Sequence, residues 1–287
     1  MILVRRDASL IPPRLMNAAI KAQEKLEAIV DIDERKEFIE KKSGLWRRFG
    51  KHLKQMSYGK CWYSESDCVQ SFADVDHFRP KKAARRSETS SDDGYPWLAF
   101  SWENFRYAAQ RSNQLNTDEE TEEVVGKGSW FPLMPESKCA TWDDRCIDDE
   151  RPVLIDPTKQ DDIRLVHIDG AGALIPSDLC MGQYERQRVT ESVKYLGLNL
   201  DGLVGARKRA MDAVLEQIQE MLRVKAAADK AVDGGQQFAE MLPIGAQLKS
   251  IQLKTHPKQP YAAATRAQLV LMGLGAHCLR VEEMDLP

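Results

Sequence analysis

The chain has 287 residues, 43% hydrophobic and 30% charged, which excludes wholesale disorder and allows one large domain or a small catalytic module with helical additions. Its net charge of −3 excludes a protein that coats nucleic acid over its whole surface. No apolar stretch approaches the roughly 20 residues of a membrane span, and Met1–Asp7 lacks the layout of a secretory leader, so a cytoplasmic protein without membrane contact is expected. After Pro12-Pro13, residues Leu15, Ala19, Ala22, Leu26 and Ile29 fall at helical spacing. A second amphipathic helix is predicted from Glu34 through Phe38, Leu45, Trp46, Phe49 and Leu53, with a break at Gly44 and an end at Gly59. Ala73–Phe78 reads as a strand stopped by Pro80, Ser87–Gly94 as a loop, and Ser112 as the opening of a short helix. Val153–Ile155 is predicted to be a buried strand and Leu165–Gly170 a strand entering a hairpin. The rest is helical: an apolar stripe of Met211, Val214, Leu215, Ile218, Met221 and Leu222, a break at Gly234-Gly235, and a last helix from Tyr261 to His277.

Charge is unevenly spread. Lys41, Lys42, Arg47, Arg48, Lys51, Lys54 and Lys60 follow one another with no acid between them, and Arg79, Lys81, Lys82, Arg85 and Arg86 form a second cluster. Such local basic faces fit contact with a phosphate backbone, although each cluster alone reads equally well as a solvated helix face. The segment most informative about chemistry is Asp74-Val75-Asp76-His77-Phe78-Arg79-Pro80-Lys81, followed by Trp102-Glu103-Asn104-Phe105 and Arg111-Ser112-Asn113. Adjacent Asp and His on a strand point to opposite faces, so one can hold a metal while the other meets a water molecule. An Asn from a following helix can add an oxygen ligand. Carboxylate, amide oxygen and water suit Mg²⁺ or Mn²⁺, and a neutral His suits a general base. His52 is read as a surface residue, and His167, His256 and His277 have no ligand-spaced partners.

In these residues the chain resembles the HNH endonuclease family, and within it the defence-associated proteins of the PtuB type known from Septu and retron systems. The likeness runs through Lys60-Cys61-Trp62-Tyr63, Asp74–Lys81, Tyr95-Pro96-Trp97-Leu98-Ala99, Trp102-Glu103-Asn104, Phe131-Pro132-Leu133, Glu150–Pro157 and Tyr195–Asn199, about residues 45–207. It implies an α+β fold, with a small ββα-metal core at 59–132 between an N-terminal helical segment (1–58), an irregular extension (133–200) and a C-terminal helical segment (201–287). It implies His77 as general base, Asp76 and Asn113 as ligands of one Mg²⁺ or Mn²⁺, and Asn104 as the residue that braces the loop and orients the base. Arg79, Lys81, Lys82, Arg85, Arg86 and Arg111 are the expected nucleic-acid contacts. The expected activity is metal-dependent phosphodiester hydrolysis, with DNA favoured over tRNA or other RNA. The expected setting is an anti-phage system controlled by a PtuA-like ATPase partner.

Two departures stand out. Relatives pin this core with a structural zinc on two Cys-x-x-Cys pairs; the corresponding positions here are Cys61, Ser64, Ala109 and Ser112, a set that cannot make a thiolate zinc site. That zinc is therefore expected to be absent, with packing around Trp62, Tyr63, Phe105 and Tyr107 in its place; Cys61, Cys68, Cys139 and Cys146 form an alternative but ill-spaced set. The family lysine shortly after the final Asn is also missing, which leaves Arg111, Lys127 or the Arg79–Arg86 cluster to neutralise the backbone. The competing reading is a catalytically inactive nucleic-acid-binding or assembly subunit.

Overall fold

In the computed structural model, which describes residues 1–68, 73–118, 122–230 and 245–279, the chain begins with a helical layer. Helix α1 (Pro13–Glu27) starts on its proline, whose missing N–H costs nothing at that position, and buries Leu15, Ala19, Ala22 and Leu26. Helix α2 (Ile32–Lys41) is capped by Asp31, which accepts from the N–H groups of Asp33 and Glu34. The second helix, expected to break at Gly44, is three pieces: α2, α3 (Ser43–Arg47) and α4 (Gly50–Met56), with one break just before Gly44, at Lys42, and another after Arg47. Trp46, Phe49 and Leu53 fall at helical spacing and all turn inward, so the apolar pattern alone does not reveal the turns between the pieces. His52 is also buried, not a surface residue as expected, since α4 packs against the hairpin described next.

That hairpin pairs β1 (Ala73–His77) antiparallel with β4 (Phe105–Ala109), with Asp76 opposite Arg106 and His77 opposite Phe105. The stretch predicted as a loop closes as a small ladder of β2 (Ala84–Arg85) and β3 (Ser91–Asp92). Helix α5 (Gln110–Asn113) leads to the short pair β5 (Asn116–Thr117) and β6 (Val124–Val125). Asn113 therefore closes its helix instead of following a start at Ser112: Gln114 is already extended.

Val153–Ile155 is buried but is no strand. Its backbone N–H groups go to Pro132 O and to the side chain of Ser192, so loop and side-chain partners replace a ladder. After α6 (Gln160–Arg164), the predicted hairpin forms from β7 (Val166–Ile168) and β8 (Leu174–Pro176). Then come α7 (Gln183–Tyr195), the long α8 (Asp201–Lys230), helical residues 245–254 (α9) and α10 (Ala262–Leu271). The predicted last helix stops early, because Gly273 has φ +71° and a 3₁₀ turn, Gly275–His277, follows. The Gly234-Gly235 break lies outside the described residues.

The fold is α+β. One main core draws side chains from all four expected segments, from Leu15 and Phe49 through Tyr63 and Phe105 to Ile155, Met211 and Ala264. A second cluster gathers Phe78, Tyr95, Trp97, Phe131 and Leu154. Most of the apolar stripe of α8 is core packing, Val214 and Ile218 meeting Ile251 and Leu269, while Leu222 at its end is exposed. Among the described residues no helix is long and apolar enough to cross a membrane. The end of β1 passes from the main core at His77 to the second at Phe78, and there the candidate site opens.

Candidate active site

A cleft of about 320 Å³ opens at the C-terminal end of β1, lined by Asp76, His77, Lys81, Lys82, Asn113 and Gly128 among others. Asp76 and His77 do leave the strand on different sides, yet both reach this cleft because the ladder ends at His77.

His77 is buried. Its ring is held edge-on between Trp46 of α3, 5.1 Å away, and Phe105 of β4, 5.0 Å away. The Nε2 atom lies 2.9 Å from Ala99 O. A carbonyl can only accept, so in the neutral ring Nε2 carries the proton and Nδ1 keeps its lone pair. Burial, reinforced by the positive charges of Lys81 and Lys127, holds the imidazole pKa well below its ordinary value despite the Ala99 bond. The ring is thus neutral, with the Nδ1 lone pair free of a proton.

Asp76 is equally buried and has a partner on each oxygen: the Tyr63 hydroxyl donates to Oδ2 at 2.6 Å and Lys127 Nζ to Oδ1 at 2.8 Å. Lys127 also donates to His77 O at 2.7 Å. Its backbone is fixed to α5 by bonds from Lys127 N to Ser112 O (2.9 Å) and Gly128 N to Asn113 O (2.7 Å). This approach needs glycine before the lysine: Gly126 has φ +101°, and a Cβ there would stand 1.8 Å from Gln114 O.

Asn113 donates from Nδ2 to Asp74 Oδ2 at 2.9 Å, which leaves its Oδ1 as an oxygen donor for the cleft. One carboxylate and one amide oxygen, with room for water, is a hard-oxygen set that fits Mg²⁺ or Mn²⁺. Among the described residues no group of three or more His, Cys, Asp or Glu could hold a metal ion. Cys61 and Cys68 lie in the main core while Cys146 packs on the second cluster.

Asn104 stands behind the site. Its Oδ1 accepts from Arg79 N (2.8 Å), and its Nδ2 donates to Arg79 O (2.9 Å) and Leu98 O (3.4 Å). It therefore ties the turn after β1 to the segment whose next carbonyl, that of Ala99, holds His77. Trp62, Tyr63, Phe105 and Tyr107 are buried, and Trp62 N bonds Tyr107 O at 2.9 Å.

The expected cationic cluster is corrected in part. Arg79 is turned inward to Glu150 and Ile147 O, and Arg86 to Asp92, Tyr95 and Phe131 O. Both serve the second core, because their guanidinium groups satisfy acceptors buried beside its aromatic rings. Arg85 lies over Trp130 and pairs with Glu88, and Arg111 is exposed on α5. Only Lys81 and Lys82 of the cluster line the cleft. Burial beside Trp46 pushes the Lys81 pKa down to about 8, while Lys82 pairs with Glu40 of α2.

In the first basic run, Lys60 is buried and donates to Gln259 O; the earlier members are exposed. Lys41, Lys42 and Arg48 meet Lys21 and Lys25 of α1 around a groove of about 360 Å³ floored by Ala18, Ala22, Phe38 and Leu45. Among the described residues lining it none is acidic. One short helix, α3, packs Trp46 against the His77 ring and gives Leu45 to this groove. Sequence reasoning missed the groove, since α1 and α2 are separate in the chain. It also assigned Tyr63 to packing alone, although its hydroxyl serves Asp76. For Lys127 the available signal was the Gly-Lys-Gly triplet, a turn that presents one cation.

No family model matches the chain. Over 91 residues it is 38% identical to Septu protein PtuB of Bacillus mycoides (strain KBAB4), a stretch covering 31% of this chain and 28% of that relative. Through that stretch, the chain is related to a PtuB protein.

Proposed function

We propose that this chain is a metal-dependent HNH endonuclease that hydrolyses phosphodiester bonds, with DNA favoured over RNA, and acts as the effector of an anti-phage system under an ATPase partner. The relationship to a Septu protein supports the defence setting. The observation that carries the chemistry is the hydrogen bond from His77 to Ala99 O, which leaves Nδ1 unprotonated on a residue that lines one cleft with Asp76 and Asn113. When bound there, a divalent cation would supply Lewis-acid stabilisation of charge on the scissile phosphate and its leaving oxygen.

The chain's own groups do the rest. His77 Nδ1 takes a proton from the attacking water while Nε2–H stays on Ala99 O, so the ring need not turn. Trp46 and Phe105 fix the ring plane. Lys81 and Lys82 hold the phosphate at the cleft, and the α1–α3 groove holds backbone farther away.

The test is to incubate plasmid, single-stranded DNA and tRNA with the protein and Mg²⁺ or Mn²⁺, beside EDTA and His77→Ala controls. Cleavage is expected to need the metal and to fall about 10² to 10⁴-fold in the variant. Cleavage indifferent to His77→Ala would defeat the assignment. No cleavage of any substrate, with the partner present, would favour the binding-subunit reading.

A further inference from the structure

The ammonium that neutralises Asp76 stands where a metal ion would have to bind. Lys127 Nζ is 2.8 Å from Asp76 Oδ1, its side chain is 1% exposed, and its second partner, His77 O at 2.7 Å, belongs to the same two-residue unit. The other carboxylate oxygen is taken by Tyr63. Asp76 therefore has a donor on each oxygen and a full counter-charge before any cation arrives.

The lysine is also not free to drift away with its loop. Its backbone N–H and that of Gly128 are both bonded to α5, and Gly126 lies so close to Gln114 that any side chain there would clash. The turn that carries Lys127 is thereby fixed to the helix that carries Asn113. A divalent cation shared by Asp76 and Asn113 would lie within a few ångströms of the ammonium, a like-charge contact that a buried site screens poorly.

We infer that Lys127 is a resident counter-charge that gates the metal: it fills the metal-binding position of Asp76, and its side chain must swing off that carboxylate before a divalent cation binds. The inference rests on the nuclease reading for the identity of the metal site. It goes beyond that reading by giving Lys127 control over when the site loads. A chain with this device keeps its carboxylate neutralised and its metal affinity low until something displaces the lysine, which suits a nuclease held inactive until triggered.

Two measurements test it. Mn²⁺ binding is followed by electron paramagnetic resonance on the wild-type chain, Lys127→Met and Asp76→Asn, with thermal melting to show that each is folded. Lys127→Met is expected to bind Mn²⁺ about tenfold or more tightly than wild type, and Asp76→Asn to lose the site. Equal or weaker binding by folded Lys127→Met overturns the gate.

Lys127→Met exchanges a buried ammonium for a thioether beside a carboxylate and could unfold locally, so the second measurement uses the unaltered chain. Acylation of lysines by acetic anhydride is read peptide by peptide with and without saturating Mn²⁺. Lys127 is expected to be protected without metal and several-fold more reactive with it; protection unchanged at saturating Mn²⁺ overturns the gate. If the gate fails while wild type still cleaves nucleic acid in Mn²⁺, the nuclease reading survives. If no variant binds Mn²⁺ and none cleaves, both fall.

Discussion

Asp76 is supported by single atoms that can be removed one at a time. The Tyr63 hydroxyl is fully buried, and burial, then the nearby carboxylate, push its pKa far up, so it is always the donor in the 2.6 Å bond to Oδ2. Tyr63→Phe keeps the ring in the main core and deletes only that bond. A buried hydrogen bond to a charged group contributes about 1.5–3 kcal/mol, and a loss of that size should appear as a lower denaturant midpoint with unchanged slope. Asp74 acts one step further out. It bonds both Asn113 Nδ2 and Gln114 Nε2, so it decides which end of the Asn113 amide faces the cleft. Asp74→Ala should raise the metal concentration for half-maximal cleavage about 10- to 100-fold, as loss of an outer partner of a metal ligand does. An unchanged metal requirement would mean that Asn113 is oriented by something else or binds no metal.

At the level of elements, much of the fold was legible in the sequence and the misses have physical causes. Helix α1 follows from its periodicity, because one face lies on the core and the other in solvent. Strand β1 and the β7–β8 hairpin follow from short strand-like runs ended by Pro80 and by the Asp169-Gly170 turn. The split of residues 34–56 into three helices follows only in part: a break is expected at Gly44, but the one after Arg47 is not, since Trp46, Phe49 and Leu53 keep helical spacing whether or not the backbone turns between them. The false strand at Val153–Ile155 has the same origin: three buried apolar residues look alike whether their backbone meets a ladder or a serine. For the site, Asp76, His77 and Asn113 could be read from the motif and line one cleft. The inward turn of Arg79 and Arg86 could not, because a cation run does not reveal that Glu150 and Asp92 will come to meet it. The α1–α3 groove was invisible for a related reason, as its five cations come from two separate stretches. Reversing Lys21 and Lys25 to Glu should weaken nucleic-acid binding at low salt. For every phosphate that the altered groove no longer neutralises, the log–log salt slope should fall by about 1, measured by fluorescence anisotropy across a salt series. An unchanged slope would leave the groove as solvated surface.

Across the whole molecule, the extension beyond residue 132 is joined to the β1–β4 hairpin by charge as well as by packing. Arg106, opposite Asp76 on β4, makes a two-pronged pair with Asp156, Nε to Oδ1 at 3.0 Å and Nη2 to Oδ2 at 2.7 Å, with both side chains buried. Asp156 N in turn bonds Asp162, which pairs with Arg188 of α7. Burial alone would raise the Asp156 pKa; the guanidinium and Thr158 more than offset this and bring it from 3.8 down to about 2. A carboxylate whose folded pKa is depressed stabilises the fold above its unfolded value and loses that contribution as pH falls through the folded one. The pair should therefore contribute about 2 kcal/mol at neutral pH, lost between pH 4 and 2. Arg106→Met removes the partner and leaves the carboxylate buried alone, a loss of about 3–5 kcal/mol at neutral pH. Because Asp156 is then favoured in its protonated form, the variant's deficit should shrink as the pH is lowered toward 3. Denaturant titrations of the two proteins at pH 7, 5 and 3 give the comparison. A deficit that stays constant with pH would show that Arg106 acts through packing, over the ring of Phe78, and not through its charge.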